Sequence, residues 1–359
     1  MHITFDILRI DSVSSASRFL ITAFTAIALY GGCDETGSGE SSSSNRAGAG
    51  GAPGSAGTPP TGGASGSDGE APAPRVGWFN ITLVAPVAAT TTTPSNPGFT
   101  SVNGKVCDAP EPEGTIWEKT LEEGECELLE PRVPFCDPLC GEAVCVEDGQ
   151  CAAYPPTHDV GTVTVHGLQT ADGANPVTLV SVRDNYSSTD ELPYPAFAEG
   201  DEIRLQASGG DYEPFSILSK GIVPLELTVE GEIHIEREQP MTLAWTPPGN
   251  TDIARIHVKV DISHHGGAKG KIECDAPDTG SLQIPAALVT RLIDLGYSGF
   301  PSVNVTRSAI GSVVIAPGRV ELTVQSAVDR GLQIPGLISC SESIPCPEGL
   351  TCQQDLKCL

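Results

Sequence analysis

Eight of the twelve cysteines fall into two short segments that look like copies of one another. Both segments end in the pattern C-x-x-D-x-x-C, and each carries a glutamate two residues after its second cysteine. Each has too few apolar residues for a core, so we expect two disulfides per segment, first to third and second to fourth. The two sets are Cys136, Cys140, Cys145 and Cys151, and Cys340, Cys346, Cys352 and Cys358.

A zinc ion held by four thiolates is the alternative for each segment, which we call a knot. The pair Asp148-Gly149 is typical of a tight turn and predicts a small hairpin inside the first knot. Cys346-Pro-Glu-Gly349 in the second knot resembles short cysteine-rich modules of extracellular proteins. This resemblance implies a structural role more than an activity. Disulfides are favoured over zinc because the cysteines of exported proteins are normally oxidised.

An apolar segment near the N-terminus has the length expected for the hydrophobic region of a signal peptide. Phe19 to Tyr30 is too short to span a membrane as a helix, and Arg18 supplies the preceding positive charge. The following Leu29-Tyr-Gly-Gly-Cys33 resembles a bacterial lipobox, in which small residues precede a cysteine that receives a lipid. We therefore expect residues 1–33 to be a signal peptide with Cys33 as the lipidation site. An ordinary secretory peptide with an incidental cysteine is the alternative.

Residues 34–75 consist mostly of Gly, Ser, Ala, Pro and Thr. This composition buries too little apolar surface to offset the entropy lost on ordering, so we predict a disordered linker. A flexible chain of this length has a root-mean-square span of about 35–40 Å. Behind a lipidated cysteine, the linker would hold the rest of the protein clear of the membrane.

The formal net charge of −26 limits the possible partners. Like charges repel, so the charge argues against nucleic acid and against anionic lipid headgroups. Membrane contact is therefore expected through the lipid anchor alone. The acidic run Glu122-Glu-Gly-Glu125 predicts a solvated face or loop, because paired catalytic carboxylates need a cleft and supporting residues.

Three cysteines lie outside the knots and the signal peptide. Cys107 with Cys126 would close the acidic loop, whereas Cys126 with Cys274 would tie two regions of the chain together. If Cys33 carries lipid, eleven cysteines remain and at least one has no partner within the chain. That cysteine would form an intermolecular bridge or, as we expect, stay buried and unpaired.

From residue 160 onward, cysteines nearly disappear and apolar residues alternate with polar ones, as in Ile203, Leu205 and Ala207. Many short alternating strands with Gly and Pro between them predict a mainly β protein. The expected fold is a β-sandwich, either one large or two small of immunoglobulin or fibronectin III type. The predicted segments are a cysteine-rich acidic region with a few strands at 76–159, sandwich parts at 160–239 and 240–337, and the C-terminal knot at 338–359.

One short helix is predicted within the second sandwich part. Pro285 suits a first helical turn, Leu288, Leu292 and Leu295 form an apolar stripe, and Gly296 can end the helix. The stripe predicts that the helix packs on the sheet.

Two longer patterns carry a family resemblance. Leu243-Ala-Trp-Thr-Pro-Pro248, followed by an alternating strand from Ile256, resembles the early strands of a fibronectin type III-like domain, which implies that Trp245 is a core residue. The whole layout resembles secreted lipoproteins of myxobacterial type, through the lipobox, the linker, Phe135-Cys-Asp-Pro-Leu-Cys140 and Cys274-Asp-Ala-Pro-Asp-Thr-Gly280. This resemblance implies a location in the bacterial cell envelope, outside the cytoplasm, and assigns no chemistry.

Three places in the chain could hold a ligand. His264-His265-Gly-Gly with Lys269 and Lys271 forms a basic hairpin tip that could bind metal or an anionic glycan, although an exposed loop is the simpler interpretation. Asp275 and Asp278 could offer oxygens to calcium, although a turn is simpler. Five aromatic residues could form a sugar-stacking platform or pack in the core. They are Tyr186, Tyr194, Phe197, Tyr212 and Phe215.

The region after the linker contains no G-x-S-x-G elbow, H-E-x-x-H helix, phosphate loop, dinucleotide fingerprint or EF-hand loop. We therefore expect no catalytic residues and, apart from the weak calcium signal, no cofactor. The leading hypothesis is a membrane-anchored lipoprotein that acts as a non-enzymatic binding, adhesion or envelope-structural module. Its expected partners are an envelope glycan or another surface protein. The alternative is a secreted hydrolase with catalytic acids on sandwich loops.

Overall fold

The computed structural model describes residues 73–89, 94–173, 175–263, 265, 267 and 269–359. The predicted signal peptide, the lipidation site Cys33 and the linker up to residue 72 lie outside the described residues, as does His264. The described part of the chain is mainly β, with eighteen strands and one helix.

The strands of the first part of the chain are β1 (Arg75–Val84), β2 (Phe99–Val106), β3 (Ile116–Glu123), β4 (Cys126–Arg132), β5 (Val144–Glu147), β6 (Gln150–Ala152), β7 (Val163–His166), β8 (Val177–Val182) and β9 (Asn185–Ser187). The later elements are β10 (Glu202–Ala207), β11 (Phe215–Lys220), β12 (Ile233–His234), β13 (Met241–Ala244), β14 (Arg255–Asp261), β15 (Lys271–Pro277), β16 (Ser281–Ile284), the helix α1 (Ala286–Asp294), β17 (Ser302–Val314) and β18 (Arg319–Gln333).

Most strands belong to one long, strongly curved sheet. Its order is β11-β10-β7-β8-β9-β2-β1-β18-β17-β14-β15-β4-β3, and β12 pairs with β18 beside this path. The strand β1 runs parallel to β18, while the other neighbours along the path run antiparallel. Two further pairs, β13 with β16 and β5 with β6, form small sheets of their own. The predicted β-sandwich with one short helix and disulfide knots is confirmed.

The long hairpin formed by β17 and β18 is shared by two hydrophobic cores. Ser302 pairs with Gly331 at its open end, and Val314 pairs with Arg319 next to its turn. Val303 near the open end is buried in one core, whereas Val320 near the turn is buried in the other. The hairpin therefore joins two sandwich-like halves of the structure.

The first core lies between β1, β2 and the turn half of the hairpin on one side and β7, β8, β10 and β11 on the other. The sheet curls until β11 reaches β17, where the Ser219 hydroxyl donates to the Ala309 carbonyl at 3.0 Å. The strands touch closely at Gly311, where a Cβ would lie only 1.8 Å from the Leu218 carbonyl oxygen. Because any larger residue would push the strands apart, glycine is needed at this position.

The second core lies beneath β4, β15, β14 and the open half of the hairpin, and is covered by α1, β13 and β16. The helix begins after Pro285 and buries Leu288 and Leu292. Gly296 follows it with a φ of 92°, as expected for a residue that ends a helix. Trp245 is buried in this core, so both the predicted helix and the core role of Trp245 are confirmed.

Five disulfides brace the described residues. The knots pair first to third and second to fourth cysteine, as predicted, through Cys136–Cys145, Cys140–Cys151, Cys340–Cys352 and Cys346–Cys358. These bonds leave no thiolate in either knot for zinc. Cys126 pairs with Cys274 and joins β4 to β15, so the alternative pairing of Cys107 with Cys126 is wrong. No described cysteine is a free thiol, so the expected buried unpaired cysteine is absent from this part of the chain.

Each core combines strands from several of the segments distinguished in the sequence. The first core joins β1 and β2 from residues 76–159 to strands from residues 160–239 and to the hairpin from residues 240–337. The alternating segment from Leu225 to Val229 forms only one isolated bridge, between Leu227 and Trp245. The amide of Leu225 donates to the buried Ser326 hydroxyl and not to a neighbouring strand.

Candidate functional site

A groove of about 340 Å³ opens at one end of the sheet over the second core. Its walls come from β3, β14 and β15 and from the loop that joins β14 to β15. The side chains that give it chemical character are Trp117, Lys259, Asp261, His265, Lys269 and Lys271.

Strand register explains how these side chains come together. In the β14–β15 hairpin, Asp261 pairs with Lys271 and Lys259 pairs with Glu273. These residues alternate with buried positions such as Ile272, so they lie on the outward face of the sheet. β4 pairs with β15 and β3 pairs with β4, which brings Trp117 beside the end of β15.

The indole ring of Trp117 contacts a lysine. The Nζ atom of Lys271 lies 4.2 Å from the ring centroid, a distance that permits a cation–π interaction. The same ammonium lies 2.6 Å from a carboxylate oxygen of Glu273. The half-buried ring is therefore held in a defined position on the wall of the groove.

Two further lysines give the groove its positive charge. Lys259 and Lys269 are exposed, and neither ammonium forms an ion pair with a described residue. Asp261 is the only carboxylate among the described residues that line the groove, and it accepts a hydrogen bond from the Ser263 amide at 2.9 Å. The lysines are therefore available to an anionic ligand.

The loop between β14 and β15 is fixed at both ends. The Lys269 amide donates to the buried Ser263 hydroxyl at 3.1 Å. The Ser298 amide, beyond α1, donates to the Ile262 carbonyl at 3.3 Å. These bonds hold the two ends of the loop, and Lys269 at its second end lines the groove.

The structure brings together part of the predicted basic loop and adds residues that the sequence reasoning missed. His265, Lys269 and Lys271 all line the groove. Trp117 and Lys259 were missed, although a lone tryptophan in a charged strand is a usable signal for an exposed aromatic residue. Among the described residues, the only triads of potential ligand atoms close enough to share a metal are cysteines already in disulfides.

The two aspartates proposed for calcium have different surroundings. Asp278 is buried and accepts hydrogen bonds from Arg307 Nε at 2.6 Å and Trp245 Nε1 at 2.7 Å. Asp275 lies on the outward face, with a carboxylate oxygen 3.2 Å from His257 Nδ1. Each carboxylate therefore has its own protein partners.

The predicted aromatic platform does not form. Tyr186, Phe197 and Phe215 are buried in the first core, and Tyr194 and Tyr212 pack against it. Core packing, the simpler of the two interpretations, is therefore correct for these five residues.

One of these aromatic residues has a polar role within the core. The Tyr186 hydroxyl accepts from the Val160 amide and donates to Asp159 Oδ1, both at 2.8 Å. Burial raises the pKa of Tyr186 to about 12. The hydrogen bond from Tyr186, with a second from the Gly161 amide, lowers the pKa of Asp159.

Comparisons with known proteins followed from the sequence and from the structure. No protein-family model matches it, and no curated protein matches it. One solved structure with a detectable likeness is that of the chicken CNTN1 FN1-FN3 domains, at 11% sequence identity and a TM-score of 0.16. The match covers 64% of this chain and 71% of that one, and at so low a TM-score it carries no argument about fold or function. The described residues include no helix with the length and apolarity needed to cross a bilayer.

Proposed function

We propose that this protein is a non-enzymatic binding module of the bacterial cell envelope that holds an acidic polysaccharide in the groove at Trp117. The observation that carries the proposal is a groove in which the exposed lysines Lys259 and Lys269 lie with Trp117 and its contact Lys271, in a chain whose net charge is −26. Lysine ammonium groups form charge-assisted hydrogen bonds with carboxylates. An indole ring offers a flat apolar surface with one polar end, which suits the face of a sugar.

The composition of the groove supports binding rather than hydrolysis. Glycosidases use two carboxyl groups on opposite sides of the bond that is cleaved. Among the described lining residues Asp261 is the only acid, so a second carboxyl group would have to come from elsewhere. A groove that holds a polymer without cleaving it fits an adhesion or structural role in the envelope.

The proposed location rests on the cysteines and on the N-terminal sequence. Five disulfides fit a protein that matures in an oxidising compartment outside the cytoplasm. We propose that Cys33 carries the lipid that fastens the protein to the membrane. Labelled fatty acid should be incorporated into the native protein and not into Cys33→Ala, and peptide mapping should find an acylated Cys33. Finding Cys33 as a thiol or within a disulfide would contradict the anchor.

The binding function is tested by titrating the protein with oligogalacturonides, which carry a carboxylate on each sugar, and with uncharged cello-oligosaccharides. We expect saturable binding of the acidic probe only, without release of new reducing ends and without dependence on calcium. The double variant Lys259→Gln/Lys269→Gln should lose about tenfold in affinity, which corresponds to about 1.4 kcal/mol. The affinity of the double variant should also depend less on salt concentration, because fewer charges of the ligand are neutralised.

The matched control is Lys220→Gln, which removes an exposed lysine from β11 near the first core. This variant should bind like the native protein. Equal affinity of the double variant and the control would contradict the proposed site. New reducing ends would instead support the hydrolase alternative, and capture of a surface protein without glycan binding would support a protein partner.

A further inference from the structure

The charged residues of the groove follow a fixed order along the β14–β15 hairpin. Lys259 and Asp261 both point outward on β14, because the buried Val260 lies between them. Lys269 lies beyond Asp261, since its amide donates to the hydroxyl of Ser263, two residues further along the chain. A carboxylate therefore stands between the positions of the two exposed lysines.

Strand geometry gives the scale of this arrangement. Two residues of extended strand advance about 7 Å, which is the distance along the hairpin from Lys259 to Asp261. Four residues bring the chain to Ser263, roughly 10–14 Å from Lys259, and the backbone of Lys269 is bonded there. This separation is comparable to the length of a disaccharide. A sugar chain held by both lysines must therefore pass Asp261.

The middle of the groove is unsuited to an anion. Lys271 is the direct cross-strand neighbour of Asp261. Its ammonium, however, lies 2.6 Å from Glu273 and over the ring of Trp117. An acid group placed here would meet the Asp261 carboxylate beside an ammonium that already has a counter-charge. Proteins use like-charge contacts of this kind to exclude the wrong ligand.

The same position suits an uncharged sugar. A carboxylate accepts hydrogen bonds, and the hydroxyl groups of a sugar donate them. Trp117 lies at the same level of the groove, because it contacts Lys271, the partner of Asp261 in the hairpin. Its indole ring offers an apolar surface to the C–H groups of the sugar. The groove thus presents an ammonium group towards each end and an acceptor beside an aromatic ring in the middle.

We propose that Asp261 makes the groove selective for a polysaccharide whose acid groups are separated by an uncharged sugar. Lys259 and Lys269 hold two acid groups, and the uncharged sugar between them lies at Asp261 and Trp117. The inference rests on the proposed binding function and narrows its ligand. A polymer with an acid on every sugar must place one carboxylate against Asp261, so it binds more weakly although it carries more charge.

The test compares hyaluronan oligosaccharides, in which a uronic acid alternates with an uncharged amino sugar, with oligogalacturonides of the same number of sugars. Calorimetric titration at one salt concentration should show about tenfold tighter binding of hyaluronan, because the like-charge contact is absent. Asp261→Asn removes the charge and keeps an oxygen that can accept from the Ser263 amide. This variant should bind the oligogalacturonide more tightly and reduce the preference to about twofold or less.

Two further variants separate the position of the charge from its presence. Asp261→Glu retains the charge and should retain the preference for hyaluronan. Glu202→Gln removes one negative charge from β10, at the first core, and should leave both affinities unchanged. An unchanged preference in Asp261→Asn would overturn the selective role of Asp261, as would tighter binding of the oligogalacturonide by the native protein. Equal shifts in Asp261→Asn and Glu202→Gln would show that net charge sets the preference.

The lysine variant distinguishes a failure of this inference from a failure of the proposed function. If Lys259→Gln/Lys269→Gln weakens the binding of both ligands while Asp261→Asn changes nothing, the groove stands and the selectivity is overturned. If the lysine variant binds both ligands like the native protein, or if neither ligand binds at all, the proposed function fails as well.

Discussion

Arg307 Nε donates to Asp278 Oδ2 at 2.6 Å, and both side chains are fully buried between the sheet and the loops around the second core. All five guanidinium N–H groups have acceptors, which are the two oxygens of Asp278 and the carbonyls of Val223, Pro224 and Thr246. Asp278 also accepts from the indole of Trp245. A buried ion pair of this kind compensates its desolvation only while every partner is present.

We predict that Asp278→Asn lowers the free energy of unfolding by about 3–5 kcal/mol, because it leaves the Arg307 charge buried without a counter-charge. Chemical denaturation followed by tryptophan fluorescence measures the change. The exposed pair of Arg204 and Glu202 serves as the control, and Glu202→Gln should have little or no effect. A loss below about 1 kcal/mol for Asp278→Asn would show that the charge is relieved in another way.

A second prediction concerns stability at alkaline pH. The pKa of Tyr186 is raised from 10.0 to about 12 in the folded protein, mainly by burial. An unfolded tyrosine ionises first, so the contribution of Tyr186 is complete below pH 10 and is lost as pH rises towards 12. Tyr186→Phe should flatten the pH dependence of the unfolding midpoint in this window, and an unchanged slope would contradict the assignment.

The same variant has a second readout at acid pH. The pKa of Asp159 is lowered below 3.8, first by the hydrogen bond from Tyr186 and then by that from the Gly161 amide. Its contribution is therefore present above pH 3.8 and is lost as pH falls through the lowered value. Tyr186→Phe should therefore also make the free energy of unfolding depend less on pH in the acid range, below pH 3.8. It also leaves the Val160 amide without its acceptor, at a cost of about 1–3 kcal/mol.

The disulfide between Cys126 and Cys274 should be the most stabilising one described. It joins residues 148 positions apart, whereas the knot disulfides join residues 9 to 12 apart. The chain-entropy model assigns about 4–5 kcal/mol to so long a loop. Cys126→Ala/Cys274→Ala should lower the unfolding midpoint strongly, while Cys346→Ala/Cys358→Ala should loosen only the second knot. Similar effects of the two double variants would contradict this ranking.

Gly311→Ala should destabilise the first core. An added Cβ would lie 1.8 Å from the Leu218 carbonyl oxygen, so β11 and β17 would have to separate. We expect a loss of about 3 kcal/mol in thermal or chemical unfolding, near the upper range for overpacking. Gly114→Ala is the matched control, since the nearest atom to its Cβ would be Val144 Cγ1 at an ordinary 3.4 Å. Equal stabilities of the two variants would rule out the close strand contact.

Local sequence patterns predicted the strands and the helix better than they predicted which strands lie side by side. The alternation from Ile256 to Ile262 foretold β14, and the stripe from Leu288 to Leu295 foretold the helix, because burial on one face repeats with the period of the element. The pairing of β1 with β18 joins distant parts of the chain, and the sequence of neither strand identifies the other as its partner. Period-two alternation specifies which face is buried but not which strand lies alongside.

The candidate site illustrates the same limit. The sequence pattern predicted Lys269 and Lys271 as candidate ligand-binding residues because they form a basic hairpin tip in an acidic chain. Trp117 reaches them only because β4 pairs with β3 on one side and with β15 on the other. Tyr186 and Phe215 were candidates for an exposed sugar-stacking platform, but the curvature of the sheet over the first core buries them.

The hairpin of β17 and β18 also separates the start of the described chain from the groove. Arg75, where the described N-terminal strand begins, pairs with Arg319 next to the hairpin turn. Asp261 of the groove pairs with Ser302 at the opposite end. Thirteen residues of extended strand span about 40 Å, so the described chain begins near one end of the hairpin and the groove lies near the other. A ligand held in the groove would therefore lie a full hairpin length from the point at which the described chain begins.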